Sequence, residues 1–475
     1  MTRNLTMLTD FYELTMANGY FENGIGDKIG YFDMYFRKIP DDGGFAIMAG
    51  VEQVIEYIKN LNFTEEDIEY LRSKKMFSEG FLEYLKNLEF VCDVWAIEEG
   101  TPIFPNDPLI VVRGPIIQAQ FLETMILLTV NHQSLIATKT NRIVRAAEGR
   151  PVMEFGSRRA QGYDGAVYGS RAAYIGGCVG TACTISEQLF DVPALGTMAH
   201  SWIQTFPDEY SAFCAYASVY PDNCTLLIDT YNVLKSGIVN AIKVHNDVLV
   251  PAGYRLKGVR IDSGDITYLT KKVRKILDEN GMEDCGIVVS NSLDEYIIRD
   301  TLLQGAQISS FGVGERLITS RSEPVFGGVY KLVAIESGNE IIPRIKLSEN
   351  VAKITNPGFK SLYRLYKDGK AVADVITNYG EDIDTSKPYT IFDPEHTWKK
   401  RTLTDFEAKP LLVQIFDKGK CVYESPDLKA IQKKCREEIE TLWDEVKRFE
   451  NPHRYYVDLS KDLWQMKQNL LDQFG

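Results

Sequence analysis

The sequence lacks the long apolar runs and paired cysteines that mark membrane, secreted and zinc-binding proteins. No stretch of the 475 residues approaches the ~18 consecutive apolar residues of a membrane helix. The opening MTRNLTMLTDFYEL has no apolar run after a basic start, so we expect no signal peptide. The eight cysteines form no Cys-x-x-Cys pair and the five histidines are dispersed, so we expect no zinc knuckle. These absences predict a cytoplasmic protein with reduced thiols and no membrane association.

Positive charge is also scarce in this chain. It has 53 Lys and Arg residues against 66 Asp and Glu residues, a formal net charge of −13. Because affinity for nucleic acid depends on an excess of Lys and Arg, we expect no nucleic-acid partner. A small anionic ligand in a local pocket remains compatible with this charge. Hydrophobic residues make up 44% of the chain, which predicts a folded protein, and its length suits two or three domains.

Differences in the helical and strand patterns divide the chain into three regions. No internal repeat is visible. Residues 1–140 mix helical and strand patterns and predict an α+β domain that later chain completes. Residues 141–339 predict an α/β barrel with the active site. Residues 340–475 predict strands and charged helices, one of them from about Leu428 to Phe449.

Short apolar runs give the middle region a regular rhythm. The runs are VMEF (152–155), ALGTM (194–198), TLLID (225–229), GVRID (258–262), IVVSN (287–291) and ISSFGV (308–313). Helical stretches separate them, which predicts βα units and a parallel sheet. The runs end in polar residues or glycine: Gly156, His200, Asp229, Asp262, Asn291 and Gly314. A doubly wound sheet is an alternative, but polar ends on every run favour an irregular α/β barrel with its site at the carboxyl ends.

The segment RIDSGDI (260–266) brings the first candidate site residues to one strand end. Arg260 offers a planar fork suited to carboxylate or phosphate. Asp262 can hold ribose hydroxyls or a hydrated magnesium ion. The alternative is an ordinary strand-to-helix turn, in which Ser263 or Asp265 caps the helix.

The segment FGSRRAQGYDGA (155–166) follows the first run of the region and carries two adjacent arginines. Neighbouring side chains diverge, so we expect only one of Arg158 and Arg159 to contact a ligand. In the alternative, one of them pairs with a carboxylate such as Glu154 or Asp164.

The segment FGVGERL (311–317) places Gly312 and Gly314 before a predicted helical turn. Backbone N–H groups in such a loop can bind phosphate, and barrels often bind phosphate at their late loops. Ser290 and Asn291, at the end of the preceding run, could donate to the same phosphate. A Gly-x-Gly pair alone is a weak signal, and it completes neither a Walker loop nor a dinucleotide fingerprint.

His200, in GTMAHSW (196–202), is the strongest single candidate for a catalytic residue. Thr197 and Ser201 place hydroxyl groups beside it. A histidine there can act as a base, an acid or a nucleophile, and the residues alone leave these roles open. A structural histidine is the alternative.

Long motifs resemble one family when they are taken in order. They are TDFYELTMANGY (9–20), FRKIP (36–40), EFGSRRAQGYDGA (154–166), GTMAHSW (196–202), GVRIDSGD (258–265), VSNSLDE (289–295) and GVYKLVA (328–334). Together they resemble the nicotinate phosphoribosyltransferases, closely from Thr9 to Ala334 and more loosely to the C-terminus. The resemblance implies an irregular α/β barrel of the type II phosphoribosyltransferase kind, packed against an α+β domain that includes the N-terminal region. It also implies homodimers with active sites shared between subunits.

The resemblance further implies a reaction and its cofactors. Nicotinate and phosphoribosyl pyrophosphate would condense to nicotinate mononucleotide with Mg²⁺, the first step of NAD salvage from nicotinic acid. ATP would serve as co-substrate by phosphorylating His200, so the activity is formally that of a carbon–nitrogen ligase. Which side chains would hold magnesium is left open.

Individual positions match the family's ligand contacts. Tyr12 resembles an aromatic residue offered to the pyridine ring across the dimer, and Phe155 resembles the residue that stacks on the other face. Arg158 and Arg260 match arginines near the pyridine and its ribose. Thr197 matches a substrate-site hydroxyl.

The remaining matches lie at the ribose and the phosphate. Asp262 matches the carboxylate at the ribose, and Gly312 and Gly314 match the phosphate loop. Glu315 departs from the pattern, since some relatives have a small hydroxyl residue there. We expect its carboxylate to point away from a phosphate.

The resemblance also favours nicotinate over nicotinamide. Nicotinamide-using relatives present an Asp to the amide after the corresponding helix, whereas residues 176–184 (GGCVGTACT) contain no carboxylate here, and an arginine fork suits the carboxylate of nicotinate. Relatives that use quinolinate lack the apparatus for histidine phosphorylation, so His200 in its full motif argues against quinolinate as the substrate. A non-catalytic sensor of phosphoribosyl pyrophosphate could use the same glycines and arginines, but it would not need a phosphorylatable His200. An aldolase-like barrel enzyme would need a lysine at a strand end, where the sequence has none.

Overall fold

A computed structural model describes residues 3–338, 340–350 and 353–474. Its helices are α1 (Phe11–Glu22), α2 (Val51–Lys59), α3 (Glu65–Ser73), α4 (Glu79–Lys86), α5 (Ile116–Phe121), α6 (Glu123–Ala146), α7 (Gly162–Ile175), α8 (Thr184–Phe190), α9 (His200–Thr205), α10 (Glu209–Val219), α11 (Ile238–Val244), α12 (Ile266–Glu279), α13 (Glu295–Leu303), α14 (Glu315–Ile318), α15 (Leu428–Thr441) and α16 (Lys461–Phe474).

The strands are β1 (Ile29–Tyr35), β2 (Ala46–Ile47), β3 (Asp93–Ile97), β4 (Pro102–Ile103), β5 (Ile110–Pro115), β6 (Val152–Glu154), β7 (Gly180–Thr181), β8 (Thr225–Leu227), β9 (Gly258–Ile261), β10 (Gly286–Asn291), β11 (Ser310–Val313), β12 (Val329–Ser337), β13 (Glu340–Pro343), β14 (Lys360–Lys367), β15 (Lys370–Asn378), β16 (Tyr389–Phe392), β17 (Lys400–Leu403), β18 (Glu407–Pro410), β19 (Leu412–Asp417), β20 (Lys420–Cys421) and β21 (Val457–Leu459).

The described residues form two units. The first contains the described residues within 1–135 and 325–475, and the second contains residues 136–324. The three regions predicted from the sequence, with boundaries at 140/141 and 339/340, are consecutive segments rather than compact units. That division stays a prediction.

The first unit is built mainly on antiparallel strands, with β15 and β21 as a parallel pair. Its largest sheet has the order β13-β12-β1-β5-β3-β19-β20, and a second sheet has the order β18-β14-β15-β21. In β1 every residue from Gly30 to Tyr35 is buried, so this central strand has apolar contacts on both faces. Phe32 and Met34 lie in a core cluster with residues of β3, β5 and α2.

A buried ionic cluster links β14 and β15 to the loop after β4. Arg364 donates from Nε and Nη2 to the carboxylate of Asp374 at 2.8 and 2.7 Å, and its Nη2 also donates to Pro102 O at 2.7 Å. Asp107, with 0% exposure, accepts from the Phe104 N–H at 2.9 Å. Burial, followed by the neighbouring Asp374 carboxylate, raises the pKa of Asp107 well above its ordinary value.

The second unit is the predicted α/β fold. Its sheet has the order β7-β6-β11-β10-β9-β8, and all neighbouring strands are parallel. Helices α7, α12 and α13 lie between successive strands along the chain. Since parallel strands share one carboxyl edge, the polar residues that follow them meet there.

Two sequence predictions need correction. Residues 194–198 are not a strand: Ala194 makes only an isolated parallel bridge to Thr181, and β7 takes the predicted place in the sheet. Pro193 before the segment and Gly196 within it favour this irregular path. The helix predicted to reach Phe449 ends at Thr441, because Leu442 turns to an extended conformation and is fully buried.

Of the helices described, none combines the length and the apolar composition that a bilayer crossing requires. All eight cysteines are free thiols, and most of them are buried.

Candidate active site

A cavity of about 290 Å³ lies at the carboxyl ends of the parallel strands of the second unit. Its lining residues are Phe155, Arg158, Arg159, Ala182, Leu195, Gly196, Thr197, Arg260, Asp262, Ser290, Asn291, Ser292, Gly312, Gly314 and Glu315. Polar groups from several strand ends therefore converge on one concave surface, the usual form of a small-molecule site.

The loop after β6 supplies the aromatic wall of the cavity. The Phe155 N–H donates to Val313 O at 2.8 Å, which extends the pairing of β6 with β11 to the point where the ring leaves the sheet. A Cβ on Gly312 would lie 2.5 Å from Phe155 Cδ2. Only glycine at that position leaves room for the ring.

The same loop carries the tandem arginines. Arg158 and Arg159 lie in a 3₁₀ turn, and both line the cavity. That only one of them contacts a ligand stays a prediction. Glu315 lines the cavity too, and its Oε1 lies 3.4 Å from Arg321 Nη1. Its negative charge therefore has a cation nearby.

Arg260, at the end of β9, is held by protein groups on three sides. Its Nε donates to Ser290 Oγ at 2.8 Å, and its Nη1 donates to Thr197 Oγ1 at 2.8 Å and to Met198 O at 3.2 Å. Its Nη2 lies 3.5 Å from Asp262 Oδ1. The guanidinium plane is thus fixed before any ligand binds.

Ser290 connects Arg260 to Asp262. Its hydroxyl accepts from Arg260 and donates to Asp262 Oδ1 at 2.5 Å. Because a hydroxyl has a single proton to donate, Ser290 has none left for a phosphate while this bond is present. Its assignment to a phosphate stays a prediction, and its visible contact orients Asp262.

A second carboxylate, Asp229, lies beside Asp262. Its Oδ2 accepts from the Asp262 N–H at 3.0 Å and from the Ser263 hydroxyl at 2.6 Å. Its Oδ1 is buried and has no hydrogen-bond partner among the described residues. A buried acceptor without a partner is costly, so this oxygen is a place where a ligand or cation would fit.

His200 faces both carboxylates. Its Nε2 lies 3.9 Å from Asp229 Oδ1 and 3.9 Å from Asp262 Oδ2. Its Nδ1 lies 3.0 Å from Thr230 Oγ1. The ring is 39% exposed, so a ligand can reach it, and its two nitrogens have different surroundings.

The predicted site residues come together with one exception. Nine of them line the cavity, and His200 is next to the lining residue Asp262. Tyr12 belongs to the first unit, on α1, where its side chain is exposed. Partial burial of the Tyr12 hydroxyl, followed by the neighbouring Glu123 carboxylate, raises the pKa of Tyr12, so the hydroxyl stays protonated. The roles assigned to these residues remain predictions.

Sequence reasoning left two neighbours of His200 out of the site. Asp229 is the last residue of the TLLID run, and Thr230 is the residue after it. Asp229 lies at a strand end in the same way as Asp262. Applying that signal evenly would have included it. No group of three or more His, Cys, Asp or Glu side chains arranged to hold a metal occurs in the part of the chain that the structure describes.

A parallel sheet whose strand ends carry arginines, paired carboxylates and a glycine loop defines an α/β enzyme with a site for a phosphorylated substrate. The chain belongs to the nicotinate phosphoribosyltransferase family. Residues 7–131 match the model of the family's N-terminal domain, residues 151–357 match the family model, and residues 359–467 match its C-terminal domain.

Relatives and solved structures agree with this assignment. The nicotinate phosphoribosyltransferase of Bacillus subtilis is 40% identical over 474 residues, covering 99% of this chain and 96% of that protein. The crystal structure of human nicotinic acid phosphoribosyltransferase superposes with a TM-score of 0.85 at 28% identity, covering 98% of this chain and all of that one. The structure of a nicotinate-nucleotide pyrophosphorylase from Pyrococcus furiosus, at 23% identity and a TM-score of 0.71 over 92% of this chain and 96% of that one, shares the fold. The predicted family and the predicted type II phosphoribosyltransferase fold are confirmed.

Proposed function

We propose that this protein joins nicotinate to the ribose of phosphoribosyl pyrophosphate, releasing pyrophosphate and forming nicotinate mononucleotide, the first step of NAD salvage from nicotinic acid. With ATP coupled, the balance is nicotinate, phosphoribosyl pyrophosphate, ATP and water to nicotinate mononucleotide, pyrophosphate, ADP and phosphate. The observation that carries the proposal is the cavity in which Phe155, Arg158, Asp262 and Gly312 meet, in a chain of this family.

The cavity has groups suited to each part of such a transfer. Phe155 offers a ring face for the pyridine. As the bond from C1 of the ribose to pyrophosphate breaks, positive charge develops on the sugar, and the Asp262 carboxylate is placed to stabilise it. The pyridine nitrogen attacks with its own lone pair, so no general base is required. Positioning of the two substrates is therefore the main contribution of the protein.

His200 is the proposed acceptor of the γ-phosphoryl group of ATP. A ring nitrogen forms a bond to phosphorus as the bond to ADP breaks, and water later releases the phosphate. Thr230 contacts Nδ1 and thereby fixes the ring, whereas Nε2 faces Asp229 and Asp262. A phosphohistidine there would add negative charge beside the pyrophosphate site.

Mg²⁺ fits the residues around His200. Asp229 Oδ1 is a buried acceptor without a described partner, and the Asp262 carboxylate is next to it. Hard carboxylate oxygens with room for water suit this ion. Asp229 and Asp262 would hold it, and when bound it would neutralise charge on pyrophosphate.

The choice of nicotinate over nicotinamide rests on cations. Arg158, Arg159 and Arg260 line the cavity, and an arginine fork favours a carboxylate. The stretch 176–184 contributes no carboxylate that could accept from an amide. We further propose a homodimer with shared active sites, located in the cytoplasm, with neither nucleic acid nor a membrane as partner.

One assay tests this function against a nicotinamide-using enzyme and against a sensor. Purified protein is incubated with Mg²⁺, phosphoribosyl pyrophosphate and either nicotinate or nicotinamide, with and without ATP, while nucleotide and phosphate are measured. We expect nicotinate mononucleotide, formed faster with ATP. Product formed from nicotinamide but not from nicotinate would identify a nicotinamide phosphoribosyltransferase. Binding of phosphoribosyl pyrophosphate without turnover of either pyridine would identify a sensor.

A further inference from the structure

We propose that Glu154, a buried carboxylate beneath the cavity, is a positioning residue. It holds the loop of Phe155 against the glycine loop, which is the segment that carries Gly312 and Gly314. Glu154 ends β6 and has 0% exposure. It lines no part of the cavity described above, so it acts through its neighbours. The inference rests on the proposed function for its kinetic readout but not for its structural one.

The contacts of Glu154 converge from three segments. Its Oε1 accepts from the Gly156 N–H. Its Oε2 accepts from the Thr181 hydroxyl at 2.6 Å, and the Ser170 hydroxyl oxygen lies 3.2 Å from it. One carboxylate thus joins the cavity loop to β7 and to α7.

The Glu154 carboxylate is satisfied by hydrogen bonds rather than by a cation. Among the described residues no lysine, arginine or histidine forms an ion pair with Glu154, so the pairing with an arginine considered from the sequence does not occur there. Burial raises the pKa of Glu154, while the hydrogen bonds from Thr181 and Gly156 oppose the shift. A buried carboxylate without a cation contributes little to stability as a charge. Its value lies in the acceptor geometry that it imposes.

That geometry reaches both ligand loops through Gly156. A Cβ on Gly156 would lie 2.7 Å from Gly314 O and 2.6 Å from Ile318 Cγ2, so this residue is pressed against the glycine loop. On the other side its N–H is held by Glu154. The ring of Phe155, the adjacent residue, packs against Gly312. Loosening the bond from Gly156 to Glu154 would therefore disturb the ring wall and the glycine loop together.

Three substitutions separate the acceptor from the charge. Glu154→Gln keeps an oxygen for the Gly156 N–H, and its amide can donate to the Thr181 and Ser170 hydroxyls, since Ser170 already donates to Ala166 O at 2.7 Å. Glu154→Leu removes the acceptor at similar volume. Glu154→Asp keeps the charge but is one methylene too short to reach Gly156, and it guards against a leucine variant that fails to fold.

We expect Glu154→Leu and Glu154→Asp to raise the KM for both nicotinate and phosphoribosyl pyrophosphate by about tenfold or more, corresponding to about 1.4 kcal/mol per tenfold. Glu154→Gln should stay within about threefold of the wild type, since an interaction of this kind is carried by the acceptor oxygen. Leu277→Ala, in the buried face of α12, is the control, because it lowers stability without touching the loop and should leave both KM values unchanged.

Hydrogen exchange provides the structural readout. The amide of Gly156 should exchange faster in the leucine and aspartate variants and normally in the glutamine and control variants. Normal KM values with normal exchange in Glu154→Asp would overturn the proposal. Equal damage in the glutamine variant would overturn the acceptor mechanism. If the wild type lacked transferase activity, the proposed function would fail, while exchange at Gly156 would still decide the role of Glu154.

Discussion

His200 has different surroundings at its two ring nitrogens, and this difference defines its chemistry at the residue scale. Nδ1 is next to the Thr230 hydroxyl, whereas Nε2 faces two carboxylates at 3.9 Å each. This orientation is compatible with the proposed transfer of a phosphoryl group to the ring, beside a cation that the two carboxylates would hold. Among the described residues no ring contact joins His200 to Phe155, so we expect that mutation can separate the two proposed tasks.

We predict that His200→Ala abolishes ATP hydrolysis and ATP stimulation while weak ATP-independent transfer survives. The remaining activity is expected because Phe155 and Arg158 still position the substrates. Phosphate release and nucleotide formation, measured with and without ATP, check this. The surviving transfer shows that the variant is folded, and undiminished ATP stimulation would remove His200 from the coupling.

Arg260 illustrates how one side chain organises several others. Its guanidinium donates to Ser290, Thr197 and Met198 O, and Ser290 in turn orients Asp262. The predicted bidentate contact with a ligand would have to share these donors. We therefore expect Arg260 to affect the proposed reaction at least through the geometry of its neighbours.

We predict that Arg260→Lys lowers kcat/KM by about 100-fold, about 2.7 kcal/mol in transition-state stabilisation, with little change in Tm. A single ammonium group cannot replace donors that diverge toward three partners. Steady-state kinetics and thermal unfolding check both parts.

Arg255→Lys, in the loop before the same strand, is the matched control. Arg255 pairs with Asp284 at 2.7 Å on the surface, with side chains 47% and 54% exposed, where ion pairs contribute little. Near-normal kinetics in Arg260→Lys, equal to those of the control, would make Arg260 a structural residue only.

At the scale of elements, the loop between β4 and β5 carries an unusual buried acid. Asp107 lies beside the Arg364–Asp374 ion pair of β14 and β15, and its Oδ1 has no hydrogen-bond partner among the described residues. With its pKa raised, the carboxyl is protonated in the folded chain at pH values where the unfolded chain has already lost the proton. Stability from this group is therefore full below its ordinary pKa of about 4 and is lost as the pH rises toward its folded pKa.

We predict that Asp107→Asn makes the protein more stable than the wild type at pH 8, by about 1–3 kcal/mol, and brings no gain at pH 4. The amide keeps an acceptor for the Phe104 N–H and remains neutral at every pH. Urea unfolding at the two pH values measures the difference. Asp374→Asn should instead destabilise at both, because it breaks the buried pair with Arg364. A pH-independent effect of Asp107→Asn would contradict the assigned protonation.

On the scale of the whole molecule, Tyr12 and the cavity belong to different units of the chain. Tyr12 is 44% exposed on α1, near other exposed apolar side chains such as Leu8 and Phe11. An exposed aromatic with a protonated hydroxyl suits contact with a ring in a neighbouring subunit. The proposal of a shared site rests on the family resemblance, and this exposure is compatible with it.

We predict that mixing a Tyr12→Ala chain with a His200→Ala chain restores ATP-coupled transfer. Each homodimer is nearly inactive, but a mixed dimer with shared sites has one site carrying both substitutions and one carrying neither. Activity should therefore approach half of the wild-type value per mixed dimer. Subunit exchange is verified by differential tagging and mass, and exchange without recovered activity would place both residues in a site of one chain.

Local sequence patterns and the family motifs were enough to predict the fold class, the family and nine of the residues that line the cavity. Alternating apolar runs and helical stretches specify βα units because side-chain periodicity is local information. Polar residues and glycines after parallel strands meet at one edge whatever the length of the connections, so this rule predicts Asp262 and Gly312 in the site without coordinates. Phe155 and Thr197 were instead predicted from the family resemblance.

Which atoms of those residues form hydrogen bonds becomes visible in the folded chain alone. Thr197 lies 63 positions from Arg260, and no local pattern encodes that this hydroxyl takes one donor of the guanidinium. That β7, and not residues 194–198, occupies the edge of the sheet likewise depends on which segment pairs with β6. Asp229 and Glu154 acquire their meaning from burial, since a carboxylate inside the protein must be satisfied by whatever groups the rest of the fold brings to it.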